Sequence, residues 1–164
     1  MTLCTQIPRR FVNRNGVCSN VATMPAVLEY SHQVVEDEID GQGHVNNLEY
    51  LKWMQSAAIA HSTAQGWPSE RYLELEAGWV VRTHTIEYLQ PAFAGEEIVV
   101  LTWVSDFKKI TSLRKYKIVR PADDAVLAVA ETNWVFLGMK HHVPRRIPKE
   151  LIESFEVVPT DDEP

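Results

Sequence analysis

Apolar and polar residues mix in strand fashion from Ala26 to Val35 (AVLEYSHQVV). The run that follows, Glu36-Asp37-Glu38-Ile39-Asp40-Gly41-Gln42-Gly43, is polar and carries glycine, which predicts a loop. From about Asn46 to Gln65 nothing breaks a helix, and Tyr50, Leu51, Met54, Ala57, Ala58 and His61 recur at helical spacing to give one mostly apolar face. Gly66-Trp67-Pro68 ends that helix, as glycine followed by proline usually does. Ala57, Ala58, Ala60 and Ala64 make it small on several sides, so other backbones can approach closely and a sheet is expected to grip it. Ser69 to Ala77 fits a short second helix capped by Ser69.

Beyond Gly78 the pattern becomes β. Trp79–Leu89, Glu97–Asp106, Thr111–Arg120 and Val126–Leu137 are rich in Val, Ile, Thr, Trp and Tyr. The connectors between them (90–95, 107–109 and 121–124) have hairpin length, which predicts that consecutive strands pair antiparallel. Strand, long helix and four meandering strands make an α+β layout. Val126–Leu137 is partly apolar on both alternating faces, as expected if one face meets the helix and the other a partner subunit.

Composition narrows the class. At 164 residues the chain is one domain long, and it has no run of about eighteen apolar residues to span a bilayer. A formal charge of −6 argues against a nucleic-acid partner gripped through phosphates. Residues 1–24 contain Arg9, Arg10 and Arg14 and no acid, which leaves −9 on the remainder. Cys4 and Cys18 also fall in this segment, so the folded part is cysteine-free, which suits a reducing, cytoplasmic setting. The segment reads as an unstructured extension or as a start called too early, with Met24 as the true first residue; its composition also resembles a transit peptide. The domain proper is expected over residues 25–157, with an acidic, solvated tail at 158–164.

Chemistry concentrates in Asp40-Gly41-Gln42-Gly43-His44-Val45-Asn46-Asn47, followed by Tyr50 and Trp53. A carboxylate and an imidazole sit four residues apart in a glycine-loosened loop that runs into the start of the long helix. Free N–H groups and the positive end of the dipole there favour negative charge. A thioester carbonyl placed at such a helix start would have its developing oxyanion stabilised, by roughly 3–4 kcal/mol per donor. Asp40 can attack that carbonyl or activate water, with His44 assisting. Helix capping explains an Asp or Asn at this place equally well.

D-x-x-G-H-V-N-N-x-x-Y-x-x-W resembles the loop–helix signature of the 4-hydroxybenzoyl-CoA thioesterase-like branch of the hotdog superfamily. It is also similar to the HVNN stretch of plant acyl-carrier-protein thioesterases. The resemblance extends through Trp79-Val80-Val81-Arg82 and Ile86-Glu87-Tyr88-Leu89-Gln90-Pro91-Ala92, covering roughly residues 27–138. It implies a hotdog fold, in which a five-stranded antiparallel sheet wraps around one long central helix. It further implies a homodimer or homotetramer with active sites at the subunit boundary. By the same resemblance Asp40 is the catalytic nucleophile or general base, the backbone N–H of Asn47 polarises the carbonyl, and His44 matches the plant-type histidine. The chain departs from the plant pattern at Gln42, where those enzymes carry Asn.

The implied reaction is hydrolysis of an acyl-CoA thioester without metal or cofactor, CoA being part of the substrate. The alternatives are a non-hydrolytic acyl-thioester binder and a hotdog dehydratase; no His-Phe-Pro-Gly run supports the latter. Asn46, Tyr50 and Trp53 are candidate substrate contacts, although Tyr50 and Trp53 suit a core equally well. Lys108, Lys109 and Arg114 cluster with Lys115 about one turn and form a candidate clamp for CoA phosphates, with Arg145 and Arg146 as rivals. His61, on the apolar helix face, is expected to be packed and hydrogen-bonded rather than catalytic.

Overall fold

The structure, a computed structural model, describes residues 25–164. The expectations for residues 1–24 fall outside that range. Strand β1 (Val27–Gln33) leads through a single 3-10 turn (Glu36–Glu38) and a loop into helix α1 (Asn47–Ala64). A short α2 (Ser69–Glu74) precedes the strands β2 (Ala77–Tyr88), β3 (Glu97–Phe107), β4 (Thr111–Arg120) and β5 (Ala125–Gly138). Ser69 is the first residue of α2 rather than its cap; Pro68 holds the cap position and makes no side-chain bond.

All strand pairs are antiparallel, in the order β1-β3-β4-β5-β2. The short connectors at 107–109 and 121–124 do make hairpins. The one at 90–95 does not, which corrects the expected four-strand meander: β2 pairs with β5, and the chain crosses from that edge to reach β3. Connector length was the only guide to pairing in the sequence, and length does not distinguish a hairpin from a short crossing at the sheet's end.

α1 lies on the sheet face that carries Ile98, Val100, Tyr116, Ile118, Leu127 and Ala128. Its buried residues are Tyr50, Trp53, Met54, Ala57, Ala58 and His61, close to the face read from periodicity. A second cluster forms around Trp67, Phe136, Leu151 and Phe155. It depends on α3 (Lys149–Glu153), a helix too short to show a period in the sequence. The acidic tail is solvated at Asp161, Asp162 and Pro164 but anchored beside them. Val158 is buried, Val157 bridges to Val104, and the Glu163 carboxylate pairs with Lys115 Nζ at 2.7 Å.

Polar groups also enter the core. His61 and Gln65 are fully enclosed, and the ring Nε2 of His61 bonds to the carbonyl of Pro25 at 3.0 Å. Burial, reinforced by the adjacent Arg114 charge, lowers the His61 pKa from 6.5 to about 4. Between those two values the unfolded chain takes up a proton that the folded protein refuses. The contribution of His61 is therefore complete above pH 6.5 and is lost as pH falls toward 4, by up to about 3 kcal/mol. Thermal melts across this interval should show a Tm falling with pH. His61→Gln, which retains a hydrogen-bonding side chain but cannot titrate, should flatten that fall, and an unchanged slope would remove His61 as its source.

Candidate active site

The loop between β1 and α1 is closed by its own backbone. Ile39 and Val45 bridge across it, Asp40 N–H donates to His44 O at 2.9 Å, and Gly43 N–H donates to Asp40 O at 3.0 Å. Gly43 has φ +84°, a conformation in which L side chains are strained, so glycine is needed to make the turn. Asn46 N–H donates to Glu38 O at 2.8 Å, and Val45 N–H donates to Ala92 O at 2.9 Å. That last bond ties the loop to the segment crossing from β2 to β3.

Within this frame one Asp40 oxygen accepts from Gln42 N–H at 2.8 Å, while the other stands 3.6 Å from His44 Nδ1. At that distance the imidazole is a neighbour of the carboxylate and not its hydrogen-bond donor. Asp40 is partly exposed, so it can reach a ligand. The helix cap is a different residue: Asn46 Oδ1 accepts from Leu48 N–H at 3.0 Å, and Glu49 N–H is taken by Asn46 O at 2.9 Å. Among the described residues the Asn47 N–H has no acceptor, at an exposed position at the positive end of the helix. Tyr88 hydroxyl donates to Asn47 O at 3.2 Å and fixes the end of β2 beside it. Asp40, His44, Asn46 and Asn47 are thus brought together.

The other expected contacts are not in this group. Tyr50 and Trp53 are both buried in the main core, with ring centroids 4.9 Å apart, so they act as core rather than as a substrate surface. Trp53 Nε1 donates to Glu38 Oε1 at 2.9 Å. Lys108 and Lys109 do occupy an exposed turn, where Lys108 Nζ lies 3.9 Å from Asp106. Arg114 does not join them and is corrected as a member of that clamp: it is 6% exposed and faces inward. Strand alternation carried the signal, because Tyr116 and Ile118 two and four positions on share its buried face.

Glu38 was not singled out in the sequence, where nothing sets it apart from Glu36 and Asp37. Its carboxylate takes the bonds of His32 Nε2, Trp53 Nε1 and Val35 N–H, each at 2.9 Å. Burial opposes its ionisation, but those bonds and the His32 charge outweigh burial and hold its carboxyl below the usual range. It joins β1 to α1 immediately beneath the Asp40 loop.

A family model described as the thioesterase-like superfamily matches residues 34–155. The chain belongs to that superfamily. Solved structures share its fold. A 1,4-dihydroxy-2-naphthoyl-CoA thioesterase from Synechocystis has 17% identity and a TM-score of 0.72, covering 78% of this chain and 94% of its own. A gentisyl-coenzyme A thioesterase has 19% identity and a TM-score of 0.70, covering 76% and 99%. A Staphylococcus aureus protein in complex with CoA has 12% identity and a TM-score of 0.73, covering 78% and 80%. No functionally curated protein matches the sequence. The hotdog fold expected from the loop–helix signature is the fold of this thioesterase-like chain.

Because Asn46 is the cap, Asn46→Ala should cost about 1 kcal/mol, or roughly 3 °C in Tm for a chain of this size. Asp40→Asn should cost clearly less, since an amide oxygen can still accept from Gln42. Denaturant melts at one fixed protein concentration measure both, and a larger loss at Asp40 would make the aspartate a structural residue first.

Proposed function

We propose that this protein hydrolyses acyl-CoA thioesters, with Asp40 as nucleophile or general base and the Asn47 N–H as donor to the carbonyl oxygen. The observation that carries this is the division of labour at the helix start. Asn46 caps α1, so Asp40 is free for chemistry, and among the described residues the Asn47 N–H is left without an acceptor. In the reaction the C–S bond breaks, the acyl carbon gains an oxygen derived from water, and the CoA thiolate leaves to be protonated. Asp40 takes the water proton or forms a mixed anhydride that water then opens. His44, near the carboxylate but not bonded to it, steadies its charge when protonated and serves as a secondary proton carrier. The route needs neither metal nor cofactor. Relatives of the same fold that act on or bind CoA compounds support the substrate class.

The acting unit is a homodimer, or a tetramer of such dimers. Among the described residues β2, twelve residues long, stands at the sheet edge with no partner beyond it. Val80 and Val81 are exposed on it, with Ile59, Leu73 and Met139 exposed on neighbouring elements. A long, partly apolar free edge favours pairing with a second copy. A two-fold axis at the middle of β2 sets the first residues of the strand against the partner's last ones. The helix start beside Tyr88 then lies against the other subunit, and the active site is completed at the boundary.

Asp40→Asn should remove most hydrolysis, by a factor of a hundred or more (roughly 3 kcal/mol of barrier), with fold and dimer intact. His44→Ala should lose less. Near-normal turnover of Asp40→Asn over an acyl-CoA panel would end the mechanism, and equal losses would make His44 a full partner.

Lys108 and Lys109 are candidates for the CoA phosphates, with the exposed Arg145 and Arg146 as rivals. Reversing both charges should raise KM for acyl-CoA with little change in kcat, and added salt should shrink the difference. Hydrolysis of a short pantetheine thioester, which lacks the nucleotide phosphates, should be almost untouched. Equal effects on both substrates would mark the change as structural, and no effect would make the turn ordinary surface.

A further inference from the structure

A cavity of about 360 Å³ lies between the second half of α1, α2, the start of β2 and the inner face of the sheet. Ile59, Leu73, Trp79, Phe107 and Phe155 give it mostly apolar walls. Into this lining comes one cation. Arg114 is buried, and its Nη1 donates to His61 Nδ1 at 2.9 Å and to Thr102 Oγ1 at 3.1 Å. Both acceptors are uncharged near neutrality, since burial and the Arg114 charge itself hold the His61 pKa at about 4. The other groups that bear on the guanidinium are the hydroxyls of Tyr116 and Tyr72, also neutral. Among the described residues no carboxylate pairs with it.

Burying a charge without an opposite partner costs several kcal/mol, and an arginine does not escape that cost by losing its proton. Packing gives little in return: the Phe155 ring centre is 5.9 Å from the Arg114 Cζ, the outer limit of a cation–π contact. Nη1 uses its two protons on His61 and Thr102, which leaves the three N–H groups of Nη2 and Nε for another acceptor. The cavity therefore combines an apolar lining with an excess of donors and a net positive charge.

We infer that this cavity receives the acyl portion of the thioester and that Arg114 recognises a carboxylate at its far end, so the preferred substrates are half-thioesters of dicarboxylic acids. The planar guanidinium matches a carboxylate with two parallel hydrogen bonds, and the apolar walls match the carbons between carboxylate and thioester. CoA phosphates are excluded from this role, because a nucleotide does not suit a small apolar chamber. Within one chain the cavity is about 16 Å along α1 from Asn47. Pairing of β2 edges brings the cavity of one subunit beside the helix start of the other, so a short acyl group spans the distance. The inference rests on the thioesterase reading given above and adds the substrate class to it.

The decisive comparison uses the wild-type protein and pairs of substrates: succinyl-, glutaryl-, adipyl- and terephthaloyl-CoA, each against the same compound with its far carboxyl as the methyl ester. For at least one pair kcat/KM should favour the free carboxylate by about tenfold or more. Arg114→Gln should bring that ratio close to one, and Arg114→Lys should restore part of it, since the charge returns without the fork. Free adipate and terephthalate should also bind the wild-type protein in calorimetry, more tightly than their dimethyl esters and not at all in Arg114→Gln. If the methyl esters are hydrolysed as well as or better than the free acids in every pair, the Arg114 inference falls while the thioesterase reading stands. If no thioester is hydrolysed but the dicarboxylates bind through Arg114, the thioesterase reading falls and the carboxylate site stands. Should Arg114→Gln fail to fold, the wild-type pairs and the calorimetry still decide.

Discussion

The crossing of the chain from β2 to β3 at the end of the sheet is the constraint on which the rest of this structure depends. Because the segment crosses instead of turning back, β2 pairs with β5, and β3 is free to pair with β1. Its second consequence is local. Ala92, fully buried in the crossing, gives its carbonyl to Val45 N–H, and Gly95 N–H gives the opposite end of the segment to Val34 O. The loop carrying Asp40 is therefore bonded on both flanks to a segment that cannot move without opening the sheet. A twelve-residue edge strand and a firmly held Asp40 loop follow from one topological choice.

Burial and hydrogen bonding divide the acidic loop into separate tasks. Glu38 and Asp40 are two residues apart, yet Glu38 is spent on His32, Trp53 and Val35, and Asp40 keeps one oxygen without a hydrogen bond. Asn46 and Asn47 divide similarly, since one caps the helix and the other keeps an N–H with no acceptor among the described residues. In both pairs the satisfied residue makes the structure that leaves its neighbour available. Arg114 is the contrast: among the described residues this buried charge is supported only by neutral groups, on the wall of the cavity between α1 and the sheet.

Much of this architecture was legible in the sequence. The face of α1 follows from residues spaced at a helical period, and the Asp40–Asn47 loop was recognisable from its glycines and its signature. The strand segments were found within a few residues because β-branched and aromatic residues cluster there. The same local evidence misjudged Arg114, whose neighbours in sequence, Lys115 and Lys117, lie on the other strand face. It did not show that Lys115 anchors the otherwise exposed tail at Glu163.

By itself, then, the sequence determined what depends on near neighbours along the chain: the helix, the strands, the glycine turn at Gly43 and the residue types of the loop. Periodicity and φ restrictions act over a few residues, so they are written where they operate. Tertiary structure alone decided which strand β2 would pair with and which of Asn46 and Asp40 would cap the helix. Those outcomes are set by backbone bonds and burial between segments dozens of residues apart, and no local pattern encodes which of several competent partners will occupy the shared space.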